Sequence, residues 1–267
     1  MNTLKIFFFF IFTFRSLAGA QIPAQGKSEW YFTYEYYKTS KVFNNDSESN
    51  NYSYGGEFSK NEISYFGLYS LSSTLALVAK GDIFTTMEYQ DDFNTLKSNG
   101  IGDNSIGARK VIIHTGEHVQ ALQALLTFPL YSKDKAPALG THQLEFELRY
   151  LLDWYQVSEI DFISVESGLV LRFGPPDNQL KFDVLAGENF DKLLVTFGVF
   201  STFDVKSNSQ RLPAPTGSHN WDQIKIGPSI AYPITKTSTL QLGYNHEIWG
   251  KNTGNGNSIY LSFWIKN

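Results

Sequence analysis

Glu145, Glu147, Arg149 and Asp153 stand at alternate positions of one stretch, with Leu151 in the same series. In a strand, alternate residues share a face, so this spacing lines up three acids and a guanidinium. Such a face can line a polar passage and tune what crosses it, or its charges can pair and stiffen a wall. The same choice is open for Arg109, for Lys181 and Asp183, and for Lys80, Asp82, Asp103, Glu166, Arg172 and Lys225. Nucleophilic chemistry is poorly supplied. The chain has no cysteine, which excludes disulfides, thiolate metal sites and a thiol nucleophile. Its histidines are His114, His118, His142, His219 and His246. Ser218 precedes His219, but no third group completes the logic of a triad. His114 and His118 are spaced as metal ligands on a helix would be, yet they flank a turn-like Thr115-Gly116. Asp91-Asp92 and Asn44-Asn45-Asp46 offer oxygens without the ligand spacing of a calcium loop. The sequence therefore supports no catalytic residue, no metal site and no cofactor.

The elements that carry these charges are strands. Leu144, Phe146, Leu148, Tyr150, Leu152 and Trp154 make the opposite face of the same stretch wholly apolar, which is strict period-two alternation. At eleven residues it exceeds the usual soluble strand of about five or six and suits a tilted bilayer crossing of about nine to eleven. Leu180, Phe182, Val184 and Ala186 alternate in the same way with Lys181, Asp183, Leu185 and Gly187, and Ile259, Leu261, Phe263 and Ile265 with Tyr260, Ser262, Trp264 and Lys266. Twelve such segments fall near 29–38, 56–68, 73–88, 103–114, 119–131, 142–154, 161–173, 179–188, 193–205, 221–232, 239–249 and 257–266. Their connections alternate between long polar loops, such as Thr39–Gly55, Tyr89–Gly102, Ser132–Thr141 and Lys206–Asn220, and tight turns. Trp30, Tyr36, Tyr89, Tyr131, Tyr150, Trp154, Trp221, Tyr232 and Trp249 sit near strand ends, as interfacial aromatic girdles do. A soluble sandwich would show shorter strands and a more charged face. The expected fold is all-β: a single closed antiparallel transmembrane β-barrel of about twelve strands, since an open edge in lipid leaves backbone groups unpaired.

Composition agrees. The 267 residues hold 22 Lys and Arg against 26 Asp and Glu, a net charge of −4 with no basic footprint for nucleic acid. Met1 to Lys5 is a short basic start, Ile6 to Phe14 an apolar run, and Ala18-Gly19-Ala20 a small-residue cleavage signal. This is the layout of a secretory signal peptide. The expected organisation is residues 1–20 as signal peptide, cut between Ala20 and Gln21, and residues 21–267 as the barrel. An exported chain without cysteine suits the envelope of a Gram-negative bacterium, and the expected location is its outer membrane.

Tyr65-Phe66-Gly67-Leu68, then Gly100-Ile101-Gly102-Asp103-Asn104-Ser105-Ile106-Gly107-Ala108-Arg109, then Gly250-Lys251-Asn252-Thr253-Gly254-Asn255-Gly256 with Leu261-Ser262-Phe263-Trp264, together resemble a bacterial outer-membrane family. That family is usually labelled for MetA-pathway phenol degradation and belongs with the long-chain fatty-acid transporters. The resemblance implies a barrel that moves small, often hydrophobic compounds. The fatty-acid transporters carry an N-terminal plug domain of some forty residues; Gln21 to Ser28 is too short to form one. Outer-membrane barrels commonly end in an aromatic residue read during assembly, whereas this chain ends Lys266-Asn267, with Phe263 and Trp264 just before.

The functional expectation is passive or ligand-selective transport of small, hydrophobic or aromatic compounds, with Glu145, Glu147, Arg149, Asp153, Arg109, Lys181 and Asp183 lining the lumen. Expected partners are outer-membrane lipid, the outer-membrane assembly machinery and a small-molecule substrate. Two alternatives stand beside it. One is a structural barrel with a sealed lumen whose loops Thr39–Gly55 and Lys206–Asn220 meet partners. The other is a barrel enzyme acting on lipid.

Overall fold

The computed structural model describes residues 19–132, 134–157, 160–174, 177–205 and 220–267. Most of the expected signal peptide, Ser218, His219 and the loop 206–219 lie outside the described residues. The barrel strands are β1 (Ser28–Thr39), β2 (Glu57–Ser70), β3 (Leu75–Gln90), β4 (Asp103–His114), β5 (His118–Pro129) and β6 (Glu145–Val157). They continue as β7 (Ile160–Arg172), β8 (Gln179–Phe190), β9 (Leu193–Asp204), β10 (Asp222–Pro233), β11 (Ser238–Lys251) and β12 (Asn257–Lys266). Consecutive strands are antiparallel neighbours, and β1 closes the barrel on β12 from Glu29↔Lys266 to Lys38↔Asn257. The ring of twelve strands has no open edge among the described residues.

Alternation fixes which side each residue takes. In β6 the outward Leu148 is 46 % exposed while the inward Glu147 is 3 % exposed. Phe182, Phe197, Ile230, Leu261 and Phe263 are likewise exposed on the outer wall. A continuous apolar band on the outside with carboxylates and guanidinia inside is the reverse of a water-soluble protein and matches a barrel wall in lipid. Glycines let large rings lie flat on that wall. At Gly67 a Cβ would run into the outward Trp30 ring; on the inner face a Cβ at Gly243 would run into that of Tyr260.

Twelve strands were legible as periodic segments, but the loop end holds more order than the sequence shows. Within the stretch 89–102, read as a loop, Thr95–Gly100 pairs with the upper part of β3, from Thr85↔Gly100 to Gln90↔Thr95. Short strands at Lys41–Phe43, Ser49–Asn51 and Thr253–Gly254 form a small sheet that ties the first long loop to the last. These segments are at most six residues long and mostly polar, so they carry no apolar period to detect. The expected aromatic girdle is also incomplete. Tyr36, Trp154 and Tyr232 face outward. Tyr89 instead packs edge-on against Tyr52, ring centroids 5.6 Å apart; Tyr131 accepts the His142 N–H at 2.6 Å; and Trp221 lies under the Arg172 guanidinium at 5.4 Å. All three serve the loop end.

Candidate functional site

The lumen is built differently along its length. At the tight-turn end the inward positions are apolar. Val111, Val119, Ala121, Leu151 and Tyr155 form one buried cluster, Leu68, Ala76, Val78 and Leu125 a second, and Tyr31, Leu194, Ala231 and Trp264 a third. Ile22 packs against the first two, Phe162 against the first and third, and Phe66 against the second and third. The three clusters thus join into a continuous floor. The chain before β1 enters this floor. Ala20 is fully buried, and the carbonyls of Gly19 and Gln21 accept from Arg109 Nη1 at 2.5 and 3.0 Å.

Above the floor lies a band of paired charge. Arg149 donates to Glu147, to Glu166 Oε2 at 2.6 Å and to Asp183 Oδ2 at 3.1 Å. Glu147 also takes Lys80 at 3.1 Å and Lys181 at 3.5 Å. These three cations and three carboxylates balance. Arg172 bridges to Glu145 at 2.6 Å, and Glu145 also accepts from Thr141 Oγ1 at 2.7 Å. Arg109 donates to Gln123 Oε1 through Nε and Nη2 at 3.0 and 2.8 Å and stacks 5.7 Å from the Phe66 ring centroid. Asp153 accepts from Ala20 N at 2.8 Å and Tyr155 OH at 2.9 Å. All seven residues expected to line the lumen therefore point inward. Glu147, Arg149, Lys181 and Asp183 meet in one network; Glu145, Arg109 and Asp153 each belong to a separate neighbourhood of it.

The loop half is hollow. An inner chamber of about 330 Å³ is lined by Lys80, Asp82, Asp103, Glu145, Glu147 and Lys181, among others. An outer chamber of about 470 Å³ is lined by Tyr37, Tyr52, Phe58, Met87 and Trp221, with Glu35, Lys60, Lys225 and Glu247 between the rings. Glu62 borders both and holds Lys60 at 2.7 Å, so this pair stands between the two spaces. Lys225 has no ion-pair partner within 4.0 Å among the described residues. Burial pushes the Tyr52 hydroxyl up to about 12, which keeps it a neutral donor at physiological pH. These aromatic residues were not recognised from the sequence as chamber residues. In β1, Tyr31 and Tyr37 point inward while Phe32, Tyr34 and Tyr36 point outward, so both faces are aromatic and the alternation hides which is which.

The loop groups that offered other chemistry have local duties. Asp91 Oδ1 accepts the backbone N–H of Phe93 at 2.8 Å and of Asn94 at 2.7 Å. The Phe93 N–H, ahead of that of Asn94, holds the Asp91 carboxyl below its ordinary range. Asn44 Oδ1 caps its turn through Asp46 N and Glu48 N, both at 2.9 Å. His118 Nδ1 bonds Thr115 Oγ1 at 3.0 Å across a tight turn. Among the described residues no three His, Asp or Glu side chains gather as a metal site.

The profile of a family described as "Putative MetA-pathway of phenol degradation" matches residues 15–263. Among solved structures, an outer-membrane channel from Pseudomonas putida F1 is similar with a TM-score of 0.69 at 12 % identity, over 93 % of this chain and 98 % of that one. The NanC porin gives 0.55 at 8 %, over 89 % and 100 %. The translocator domain of the autotransporter NalP from Neisseria meningitidis gives 0.50 at 10 %, over 92 % and 90 %. At these identities the likeness is one of fold. No curated protein sequence matches the chain.

Proposed function

The chain belongs to the MetA-pathway phenol-degradation family, and from that premise we propose that it is an outer-membrane barrel for uptake of small compounds, hydrophobic and aromatic ones included. The observation that carries this reading is the pair of chambers opening from the loop end into the barrel, about 470 and 330 Å³ with Glu62 on the wall of both. The outer one combines ring faces with ionic and hydrogen-bonding groups, the mixture a small-molecule site needs. A ring stacks on Tyr37, Phe58 or Trp221, while a hydroxyl or carbonyl substituent finds Lys225, Glu35 or Tyr52. Glu145, Glu147 and Lys181 line the next space inward, and Arg149, Asp183, Arg109 and Asp153 form the wall beneath it. Residues 1–20 act as the export leader, removed between Ala20 and Gln21, and the apolar outer band of the barrel supports an outer-membrane location.

The test is uptake by cells whose outer membrane is otherwise a barrier. With the chain inserted, entry of a hydroxylated monoaromatic compound is faster than in cells lacking it, and Trp221→Ala with Lys225→Met slows it. Entry of a disaccharide is unchanged. Equal rates of aromatic uptake with and without inserted protein overturn the reading in favour of a sealed barrel, for which the closed apolar floor is the specific support.

A further inference from the structure

Glu145, Glu147, Glu166 and Asp183 are paired with cations in the lumen, but a buried acid beside the floor is not. Asp153 is 2 % exposed and has no cation within 4.0 Å among the described residues. Its Oδ2 takes the N–H of Ala20 at 2.8 Å, and its Oδ1 is buried with no hydrogen-bond donor. Beside it, Glu166 Oε1 takes the N–H of Gly19 at 3.0 Å, while its Oε2 serves Arg149. The two carboxylates thus hold the backbone of the last two residues that processing removes. Gly19 lies so tightly on Asp153 that a Cβ there would stand 2.6 Å from both carboxylate oxygens.

Cleavage between Ala20 and Gln21 deletes both donors. Asp153 then keeps the Tyr155 hydroxyl at 2.9 Å and Glu166 keeps Arg149, so each buried carboxylate loses a donor and recovers less of its desolvation cost. The same cut creates a new group one residue further on. An α-amine has an ordinary pKa of about 7.7–8.0, so near neutral pH it carries a positive charge and three N–H donors. We propose that the α-ammonium of Gln21 is the cation of the Asp153–Glu166 site, and that it anchors residues 21–24 as a stopper in the barrel floor. This rests on the leader processing given above. The rest of the stopper is held independently of the cut. Arg109 Nη1 donates to the Gln21 carbonyl at 3.0 Å, Ile22 packs into two clusters of the floor, and Ser70 Oγ donates to the Pro23 carbonyl at 2.7 Å. Gly26 N then donates to Ser70 O at 2.8 Å, bringing the chain to the start of β1. Four residues are too few to fold as a plug domain, but they are enough to fill a floor that is already nearly closed. An ammonium clamped by two buried acids adds a lock on this strap, and loss of the charge releases it.

Because the chain has no cysteine, one introduced thiol reports on the stopper alone. Pro23 is buried and Gln25 exposed. The chain from Gln21 to Asn267 is refolded as Pro23→Cys in two forms, one with a free amine and one with Gln21 cyclised to pyroglutamate while unfolded. Cyclisation expels ammonia as the amine attacks the side-chain carbonyl, so the charge disappears while the barrel sequence stays the same. With the free amine, Pro23→Cys is modified by a water-soluble maleimide far more slowly than a Gln25→Cys control, and cyclisation raises its rate several-fold. Asp153→Asn raises the rate of the free-amine form equally and adds nothing to the cyclised one. A rate unchanged by cyclisation, or a Pro23→Cys thiol as reactive as the control, overturns the proposal. The N-terminal residue of the exported protein, read by mass spectrometry, tests the cut separately. None of these readouts depends on transport, so they stand apart from any failure of uptake.

Discussion

Arg149, at the waist of the barrel, and Lys225, in its mouth, are both cations pointing into one lumen, and they live under opposite rules. Arg149 touches three carboxylates, two positions along β6 from Leu151 of the apolar floor. Lys225 borders a chamber of about 470 Å³ among rings and has no ion-pair partner among the described residues. At the waist, water is excluded, so each charge must find its partner inside the protein. In the mouth, water supplies what the protein leaves out, and a charge is free to meet a ligand. The waist fixes the shape of the barrel; the mouth keeps the surface that a solute can use.

The largest effect should come from breaking the waist. Arg149→Met strips Glu166 and Asp183 of their only ion pairs among the described residues, and leaving buried carboxylates unpaired costs about 3–5 kcal/mol. Urea unfolding in detergent micelles, followed by the shift of the folded band on a gel, should lose that much. Lys225→Met, by contrast, should cost less than about 1 kcal/mol, as for a group already in contact with water. Equal losses from the two would dissolve the distinction between waist and mouth.

Next in size is a change one residue away that leaves the waist untouched. Leu148 follows Glu147 and precedes Arg149, but it points outward near the centre of the band from Leu144 to Trp154. Leu148→Arg should cost about 2–4 kcal/mol, the range for a basic side chain on the lipid face near the midplane. The same guanidinium is thus required at position 149 and harmful at 148. Measured in vesicles and again in a micelle whose surface admits water, the penalty should shrink in the micelle. A penalty near zero in vesicles would mean that Leu148 does not face lipid.

How much of this was legible follows from the same contrast. The outer wall was readable because lipid demands apolar residues at every second position, and β6 meets that demand without exception from Phe146 to Trp154. The inward direction of Glu147 and Arg149 came with it. Their partners did not, because Arg149 meets Glu166 and Asp183 from β7 and β8, which only the closed barrel brings together. The chamber was illegible for another reason. Trp221 looks like an interfacial aromatic in sequence, as Tyr36 does beside Tyr37, and only the side of the wall separates the two roles. Thr95–Gly100 was missed because this strand above the membrane is six residues long and mostly polar. Gly19 and Ala20 were read as the end of the signal peptide and Gln21 to Ser28 as too short for a plug, since nothing in Gly-Ala-Gln-Ile-Pro marks a segment that enters the floor.

The smallest effect tests where the mouth ends. Lys97, in the strand that extends β3 above the lipid, pairs with Glu88 at 2.7 Å, and their side chains are 62 % and 36 % exposed. Neither charge is desolvated by the contact, both side chains lose rotamer freedom to make it, and ions screen the attraction within about 8 Å at physiological salt. These terms nearly cancel, so exposed pairs of this kind contribute about 0.2–1 kcal/mol. Lys97→Ala should therefore shift the urea midpoint by less than Lys225→Met does in relation to Arg149→Met, and the shift should vanish in high salt. A salt-independent loss comparable to that of Leu148→Arg would mean that the Thr95–Gly100 strand is bound into the barrel as firmly as the waist, and that the boundary between fixed and adaptable halves lies above the chambers rather than beneath them.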